Sequence, residues 1–222
     1  MESVKERLKK VNLIMLDLDG TIADTLPSIM EAVNKTLTLY GKKEHTYEQI
    51  REAVGHGAKD LVRKSFDITD EAYLEKVCAD YDKIYGQTYT HIDGCYEGMS
   101  EALHTLKDRG YTLAILSNKP DPFVKKISDI LFPDGIVSIS MGQTGLPKKP
   151  DPTVPLMIAK ELGFTPEQTA FVGDSDVDIF TGINAGMLAI GCAWGYRGRE
   201  VLVESGADVI LEHASELEKI FD

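Results

Sequence analysis

The run Leu13-Ile14-Met15-Leu16 ends in a carboxylate, Asp17, and Asp19, Gly20 and Thr21 follow within four residues. If the chain stays extended, alternation puts Asp17 and Asp19 on the same side. Two acids at the C-terminal mouth of a buried strand point to a cation and a reacting group, and open α/β sheets bind their ligands there. Asp-Gly also favours turns for local backbone reasons, so the pair alone leaves both readings open.

Other segments decide between them. Leu113-Ala114-Ile115-Leu116 ends at Ser117-Asn118-Lys119, and Ala170-Phe171-Val172 ends at Gly173-Asp174-Ser175-Asp176, with Asp178 close behind. If these strands are neighbours, ~4.8 Å apart, Asp17 and Asp174 can share one ion. An all-oxygen carboxylate site suits Mg²⁺. Between the runs lies Lys148-Lys149-Pro150-Asp151-Pro152, where the prolines hold a lysine in a fixed, extended approach. Repelling carboxylates, a lysine and a hydroxyl at one sheet edge make a coherent phosphoryl-transfer site. Mg²⁺ and lysine neutralise phosphoryl oxygens, one carboxylate attacks phosphorus and another protonates the leaving oxygen. Enzymes accelerate phosphate-monoester hydrolysis by up to ~10²¹-fold. Positioning and charge neutralisation must supply most of that.

The elements that must carry these residues alternate. Apolar runs of strand length recur at Leu13–Leu16, Thr112–Leu116, Ile136–Ile139, Ala170–Val172, Leu188–Cys192 and Asp208–Leu211. Helical spacing appears between them: Met99, Leu103 and Leu106 share one face, and Val154 to Leu162 and Asp176 to Ala185 are similar. Strands alternating with helices imply an α/β fold, a doubly wound parallel sheet covered on both faces. From about Thr25 to His91 the rhythm changes to helices alone. Ile29, Val33 and Leu37 form a stripe; Tyr47 to Val54, Ala58 to Ser65 and Asp70 to Tyr85 follow, with Gly55-His56-Gly57 between the middle two. The block reads as an inserted all-helical domain at 23–92, in a core of 1–22 and 93–222, with hinges at Ile22–Pro27 and Thr90–Gly98.

Composition narrows the function classes. The 222 residues carry a net charge of −12, and no basic tract offsets the repulsion a nucleic acid would meet. A small phosphate needs only a local lysine, backbone amides or a metal. No apolar run approaches the ~20 residues that span a bilayer. The N-terminal ten residues are charged and helical in flavour, with no secretory segment behind them. The three cysteines, Cys78, Cys95 and Cys192, lack zinc or disulfide spacing, which fits a reducing cytoplasm.

The motifs together resemble the haloacid dehalogenase-like superfamily of phosphatases. Asp17-Leu18-Asp19-Gly20-Thr21 is similar to its first motif, Ser117-Asn118 to its second, Lys149-Pro150 to its third and Gly173-Asp174-Ser175-Asp176-Val177-Asp178 to its fourth. The resemblance implies a Rossmann-like core and specific roles. Asp17 is the expected nucleophile, forming an aspartyl-phosphate. Asp19 is the expected general acid and then base, kept protonated at the start by neighbouring negative charge. Mg²⁺ is expected on Asp17, Asp174 and the Asp19 carbonyl. Ser117 and Lys149 are expected on the phosphoryl oxygens, and Ser175 and Asp178 behind them, orienting a water or Lys149. Gly20, Thr21 and Asn118 join the expected substrate contacts, with Gly55, His56 and Gly57 from the insert.

Within the superfamily, Asp24-Thr25-Leu26-Pro27-Ser28-Ile29, Val54-Gly55-His56-Gly57, Leu116-Ser117-Asn118-Lys119-Pro120 and Trp194-Gly195-Tyr196 resemble phosphoglycolate phosphatases with a helical cap of the first kind. The related β-phosphoglucomutases carry a histidine early in the first cap helix, where this chain has Ser28-Ile29-Met30. The implied activity is hydrolysis of a small phosphorylated metabolite, phosphoglycolate first, by a monomer or homodimer. Pyrophosphate and sugar-phosphate hydrolysis are the nearest alternatives. A receiver-like signalling module and a non-catalytic binding protein are more distant ones.

Plainer readings apply elsewhere. Gly55-His56-Gly57 also fits a simple helix–helix turn. Lys148 and Arg63 read as solvated, Asp176 as a helix cap, and Trp194 and Tyr196 as core or cap-contact aromatics.

Overall fold

A computed structural model of the chain describes residues 2–221. Six parallel strands form one sheet: β1 (Leu13–Leu16), β2 (Thr112–Pro120), β3 (Val137–Gln143), β4 (Thr169–Gly173), β5 (Leu188–Cys192) and β6 (Val209–Leu211). Their order is β3-β2-β1-β4-β5-β6. All six apolar runs therefore become strands, and β1, β4 and β5 are buried along their whole length. Alternation sorts their side chains to two faces. Leu13, Met15, Ala114, Leu116 and Phe171 pack in one cluster with Ile158, whereas Ile14, Leu16, Leu113, Ile115 and Val172 pack in another with Leu103 and Leu106.

Among the described residues, ten α-helices accompany these strands. In order they are α1 (Val4–Leu8), α2 (Leu26–Leu39), α3 (Tyr47–Ala53), α4 (Ala58–Phe66), α5 (Glu71–Thr88), α6 (Met99–Asp108), α7 (Asp121–Leu131), α8 (Thr153–Glu161), α9 (Asp176–Asn184) and α10 (Gly198–Glu204). Helices α2 to α5 lie between β1 and the next α/β unit. They bury Ile29, Val33, Leu37, Ile50, Leu61 and Val77 in a cluster of their own. Thr46 and Gln49 close a capping box at the start of α3, and the Asp70 carboxylate caps α5. The two connections to this block run side by side: Ala23 bridges Cys95, and the Tyr96 N–H donates to the Ile22 carbonyl at 2.9 Å.

Two differences from the sequence pattern shape the site. The polar run Ser117-Asn118-Lys119 marks the expected end of a strand at Leu116, yet β2 continues to Pro120 beside Gln143 of β3. Gly142 permits this: a Cβ there would stand 2.5 Å from the Lys119 carbonyl. Helices α7 and α10 were not among the expected elements, although α7 buries Val124 and Ile127 on one face. α10 buries only Leu202, too little for a stripe.

β1 sits where the strand order reverses, with β2 on one side and β4 on the other. Connections leave in opposite directions from such a point and open a crevice at the carboxyl ends of the strands. Asp17 extends β1 by one residue into that crevice, its N–H donating to the Val172 carbonyl at 2.9 Å.

Candidate active site

The sheet delivers its polar residues to one edge. Leu16 stands opposite Val172, so Asp17 and Asp174 emerge from adjacent strands. Asp178 reaches the same place from the first turn of α9. Its carboxylate accepts from the Ser175 N–H at 3.1 Å and the Ser175 hydroxyl at 2.6 Å, completing a capping box. Ser175, not Asp176, is therefore the cap. Carboxylate oxygens of Asp17, Asp174 and Asp178 all lie within 4.8 Å of one another, and all three residues are buried.

Lys149 is the cation set among them. Its Nζ lies 2.8 Å from Asp17 Oδ1 and 2.7 Å from Asp178 Oδ1, and its side chain is 2% exposed. The backbone is fixed by Asn118, whose Oδ1 accepts from the Lys149 N–H at 2.9 Å and whose Nδ2 donates to the Lys149 carbonyl at 3.1 Å. Burial opposes a charge on Lys149, but Asp17 and Asp178 outweigh it and its pKa lies above the ordinary lysine value. Burial pushes the Asp17 carboxyl up to about 6, against the pull of Lys149, with Asp178 and Asp19 adding repulsion. Burial, then Asp178 and Asp17, push Asp174 well above the carboxylate range.

Three buried carboxylates with one ammonium leave an excess of negative charge. Asp17 Oδ1 is also buried, and its 2.8 Å ion pair with Lys149 lacks hydrogen-bond alignment. Both observations fit a divalent cation held by hard oxygen donors. Asp178 is committed to Lys149 and Ser175, so Asp17 and Asp174 are the carboxylates with capacity for it. Asp174 is positioned by the Tyr196 N–H at 2.7 Å and the Thr21 hydroxyl at 3.2 Å.

Gly20 makes this packing feasible. It has φ +82°, and a Cβ there would stand 2.6 Å from Asp174 Oδ2. Gly20→Ala is expected to cost about 1–3 kcal/mol from backbone strain and to displace Asp174. Urea unfolding measures the first effect, and a smaller rise of the thermal midpoint on adding Mg²⁺ than in the unchanged chain reports the second.

Asp19 occupies a different environment from Asp17. Its carboxylate accepts from Lys119 Nζ at 2.8 and 3.1 Å and from the Thr25 hydroxyl at 2.5 Å. A cation therefore faces it, in addition to the neighbouring negative charge of Asp17 that was expected. Asp17, Asp19, Ser117, Asn118 and Asp174 line one cavity of about 50 Å³ with Gly55 and Gly57 of the insert. Asn118 Nδ2 also donates to the Gly55 carbonyl at 3.1 Å, and Gly57 lies so near that a Cβ would meet the Asn118 carbonyl at 2.9 Å.

Gly20, Thr21 and His56 do not line this cavity. Thr21 is fully buried and turned to Asp174, Gly20 packs against Asp174, and His56 faces an outer groove. Lys149 lies beside the cavity lining, under Asp17. Lys148, which reads as solvated, donates to the His56 carbonyl at 2.8 Å and pairs with Asp60. Arg63 pairs with Glu71 on the surface.

The geometry of the strand-end acids, the lysine and the helical insert agrees with the comparisons. Residues 14–192 match the model of the haloacid dehalogenase-like hydrolases. The chain belongs to that family. This hydrolase is 34% identical over 207 residues to the phosphoglycolate phosphatase of Pseudomonas putida, covering 89% of this chain and 75% of that protein. It is 30% identical over 214 residues to the phosphoglycolate phosphatase of Haemophilus influenzae strain 86-028NP, covering 92% and 96% of the two chains. Among solved structures, that of a predicted phosphoglycolate phosphatase from Haemophilus somnus 129pt superposes with a TM-score of 0.89 at 28% identity, covering 96% of this chain and 99% of that one. The hydrolase thus has the fold and the acidic cluster of a phosphatase.

Three residues of the site carried no role in the motifs. Lys119 stood next to the second motif and pairs with Asp19. Tyr196 reads as a contact aromatic, but its hydroxyl accepts from the N–H groups of Thr25 and Leu26, each at 3.0 Å, at the start of α2. Arg197 donates to the carbonyls of Arg51 at 2.8 Å and Val54 at 2.5 Å, at the end of α3. One loop thereby ties Asp174 to two helices of the insert. Backbone carbonyls as targets leave no trace in residue types.

Proposed function

We propose that this hydrolase is a Mg²⁺-dependent phosphatase of small phosphate monoesters, acting on 2-phosphoglycolate through an aspartyl-phosphate on Asp17. The observation that carries the reading is Asp17, buried at the end of β1 and ion-paired with Lys149 at 2.8 Å, with carboxylate oxygens of Asp174 and Asp178 within 4.8 Å, at the edge of the cavity. A nucleophile needs a position fixed by its surroundings, and the Lys149 contact supplies it.

In this reading Asp17 attacks phosphorus while Asp19 donates a proton to the leaving oxygen. Asp19 then takes a proton from the water that hydrolyses the acyl phosphate. Lys149 and Ser117 hold phosphoryl oxygens, and Asp178 and Ser175 keep Lys149 in place. Asp17, Asp174 and the Asp19 carbonyl would hold Mg²⁺, which would supply charge neutralisation for the phosphoryl group. Residues 23–92 act as a cap. Contacts of Asn118, Lys148, Tyr196 and Arg197 with the insert describe a closed arrangement that excludes bulk water. The cavity is lined by both the sheet edge and the insert, which suits a small ester held between them. The relatives named phosphoglycolate phosphatases support that particular ester.

The test is phosphate release from a panel of phosphorylated metabolites, with Asp17→Asn as the blank. Phosphoglycolate is expected to give the highest kcat/KM. A value no better than that for an aryl phosphate rejects the substrate assignment. Chelation with EDTA is expected to abolish turnover, and added Mg²⁺ to restore it. Full activity in excess EDTA contradicts the metal requirement.

A further inference from the structure

Two cationic side chains, Lys119 and Arg197, line the cavity. Arg197 is consumed by the carbonyls at the end of α3. Lys119 is different. Its side chain is 4% exposed, its Nζ pairs with both oxygens of Asp19, and it lies 4.8 Å from the centre of the Tyr85 ring of α5. Burial alone would discharge it, yet Asp19 and Tyr85 outweigh that penalty and its pKa lies above the ordinary lysine value.

The two buried lysines serve different acids, Lys119 from the cavity wall and Lys149 from beside it. Lys149 rests 5.4 Å from the Phe171 ring of the sheet and serves Asp17 and Asp178. Lys119 rests on the helical insert and serves Asp19. The phosphoryl group belongs with Lys149, and whatever the phosphate is attached to belongs with Lys119. An acid lies ~2.6–3.2 Å from the oxygen it protonates. Lys119 Nζ lies at 2.8 and 3.1 Å from the Asp19 carboxylate. An anionic group one carbon from the ester oxygen therefore comes within ion-pair reach of Nζ. Asp19 retains the Thr25 hydroxyl when the lysine turns to the substrate.

We infer that Lys119 is the specificity-determining residue of this site and binds a carboxylate on the leaving group, one carbon from the ester oxygen. The inference rests on the assignment of Asp19 as the acid. It makes the substrate class 2-phospho-carboxylates and places their selection on β2 at the cap boundary. A cation sequestered from water discriminates strongly, because a neutral end group leaves its charge without the matching partner.

The experiment compares kcat/KM for 2-phosphoglycolate with that for 2-phosphoglycolamide, in which a neutral amide of similar size replaces the carboxylate. Wild type is expected to prefer the carboxylate by about 30-fold or more, the scale of a buried charge pair losing one partner. Lys119→Met is expected to bring the ratio close to one, whatever it costs both substrates in common, and Lys119→Arg to keep part of the preference. A wild-type ratio near one overturns the inference without any variant. So does a Lys119→Met enzyme that loses activity but keeps the wild-type ratio, since Lys119 then acts only by positioning Asp19. In both cases phosphate is still released and the phosphatase reading stands. No Mg²⁺-dependent release from any phosphate ester overturns that reading and this inference with it.

Discussion

Asp17→Asn is expected to lower kcat by about four orders of magnitude or more, the scale seen when a covalent nucleophile is removed. The amide keeps the size of the side chain and its place at the end of β1, but cannot form an acyl phosphate. The same change is expected to leave stability unchanged or raised. Asp17 shares a buried cluster with Asp174 and Asp178, with Lys149 as the cation between them. Burial already strains its carboxylate, pushing its pKa up to about 6. Removing that charge relieves repulsion while Lys149 keeps Asp178. A thermal midpoint at or above that of wild type, measured in EDTA, together with lost turnover, identifies a residue retained for chemistry at a cost to stability. Lost turnover with a clearly lowered midpoint points instead to a structural role.

Lys149→Met is expected to have the largest effect on stability. The lysine is the shared partner of two buried carboxylates, and its side chain is 2% exposed. Breaking a buried pair by removing one partner typically costs about 3–5 kcal/mol. The loss is legible as a lowered urea midpoint with an unchanged slope. Activity falls with it, because Asp17 loses its orienting cation. The coupling can be separated from simple loss of packing. Asp17→Asn in the Lys149→Met background is expected to recover part of the stability, because it removes one of the charges left unmatched. Strict additivity of the two changes would show that the lysine is held by packing alone.

Much of this site was legible before any coordinates, and the reason is chemical. Asp17, Asp174 and Lys149 are costly residues to bury, and each stands at the end of an apolar run or beside prolines. The six strands were legible because both faces of a parallel sheet are covered, which makes the strands nearly continuous apolar runs. The helical insert showed as a stretch with period 3.6 and no such run. The environment of Asp19 was not legible. It depends on β2 running four residues past its apolar segment, which in turn depends on a glycine in β3, Gly142. Only that extension brings Lys119 into the crevice. The direction of Thr21 was hidden for a similar reason. A hydroxyl two residues after an acid can face a ligand or a neighbouring strand, and here Asp174 captures it. Lys148, read as solvated, joins the closure because its partners are a backbone carbonyl and Asp60, 88 residues earlier.

The central claim is that phosphate passes through Asp17. It is tested most directly by mixing the enzyme with ³²P-labelled 2-phosphoglycolate and Mg²⁺, quenching in acid within the first turnover, and mapping the label. Label is expected on the peptide containing Asp17, released by hydroxylamine as an acyl phosphate must be, and none in Asp17→Asn. Rapid phosphate release by the wild type with no label on that peptide, or undiminished turnover by Asp17→Asn, would contradict it.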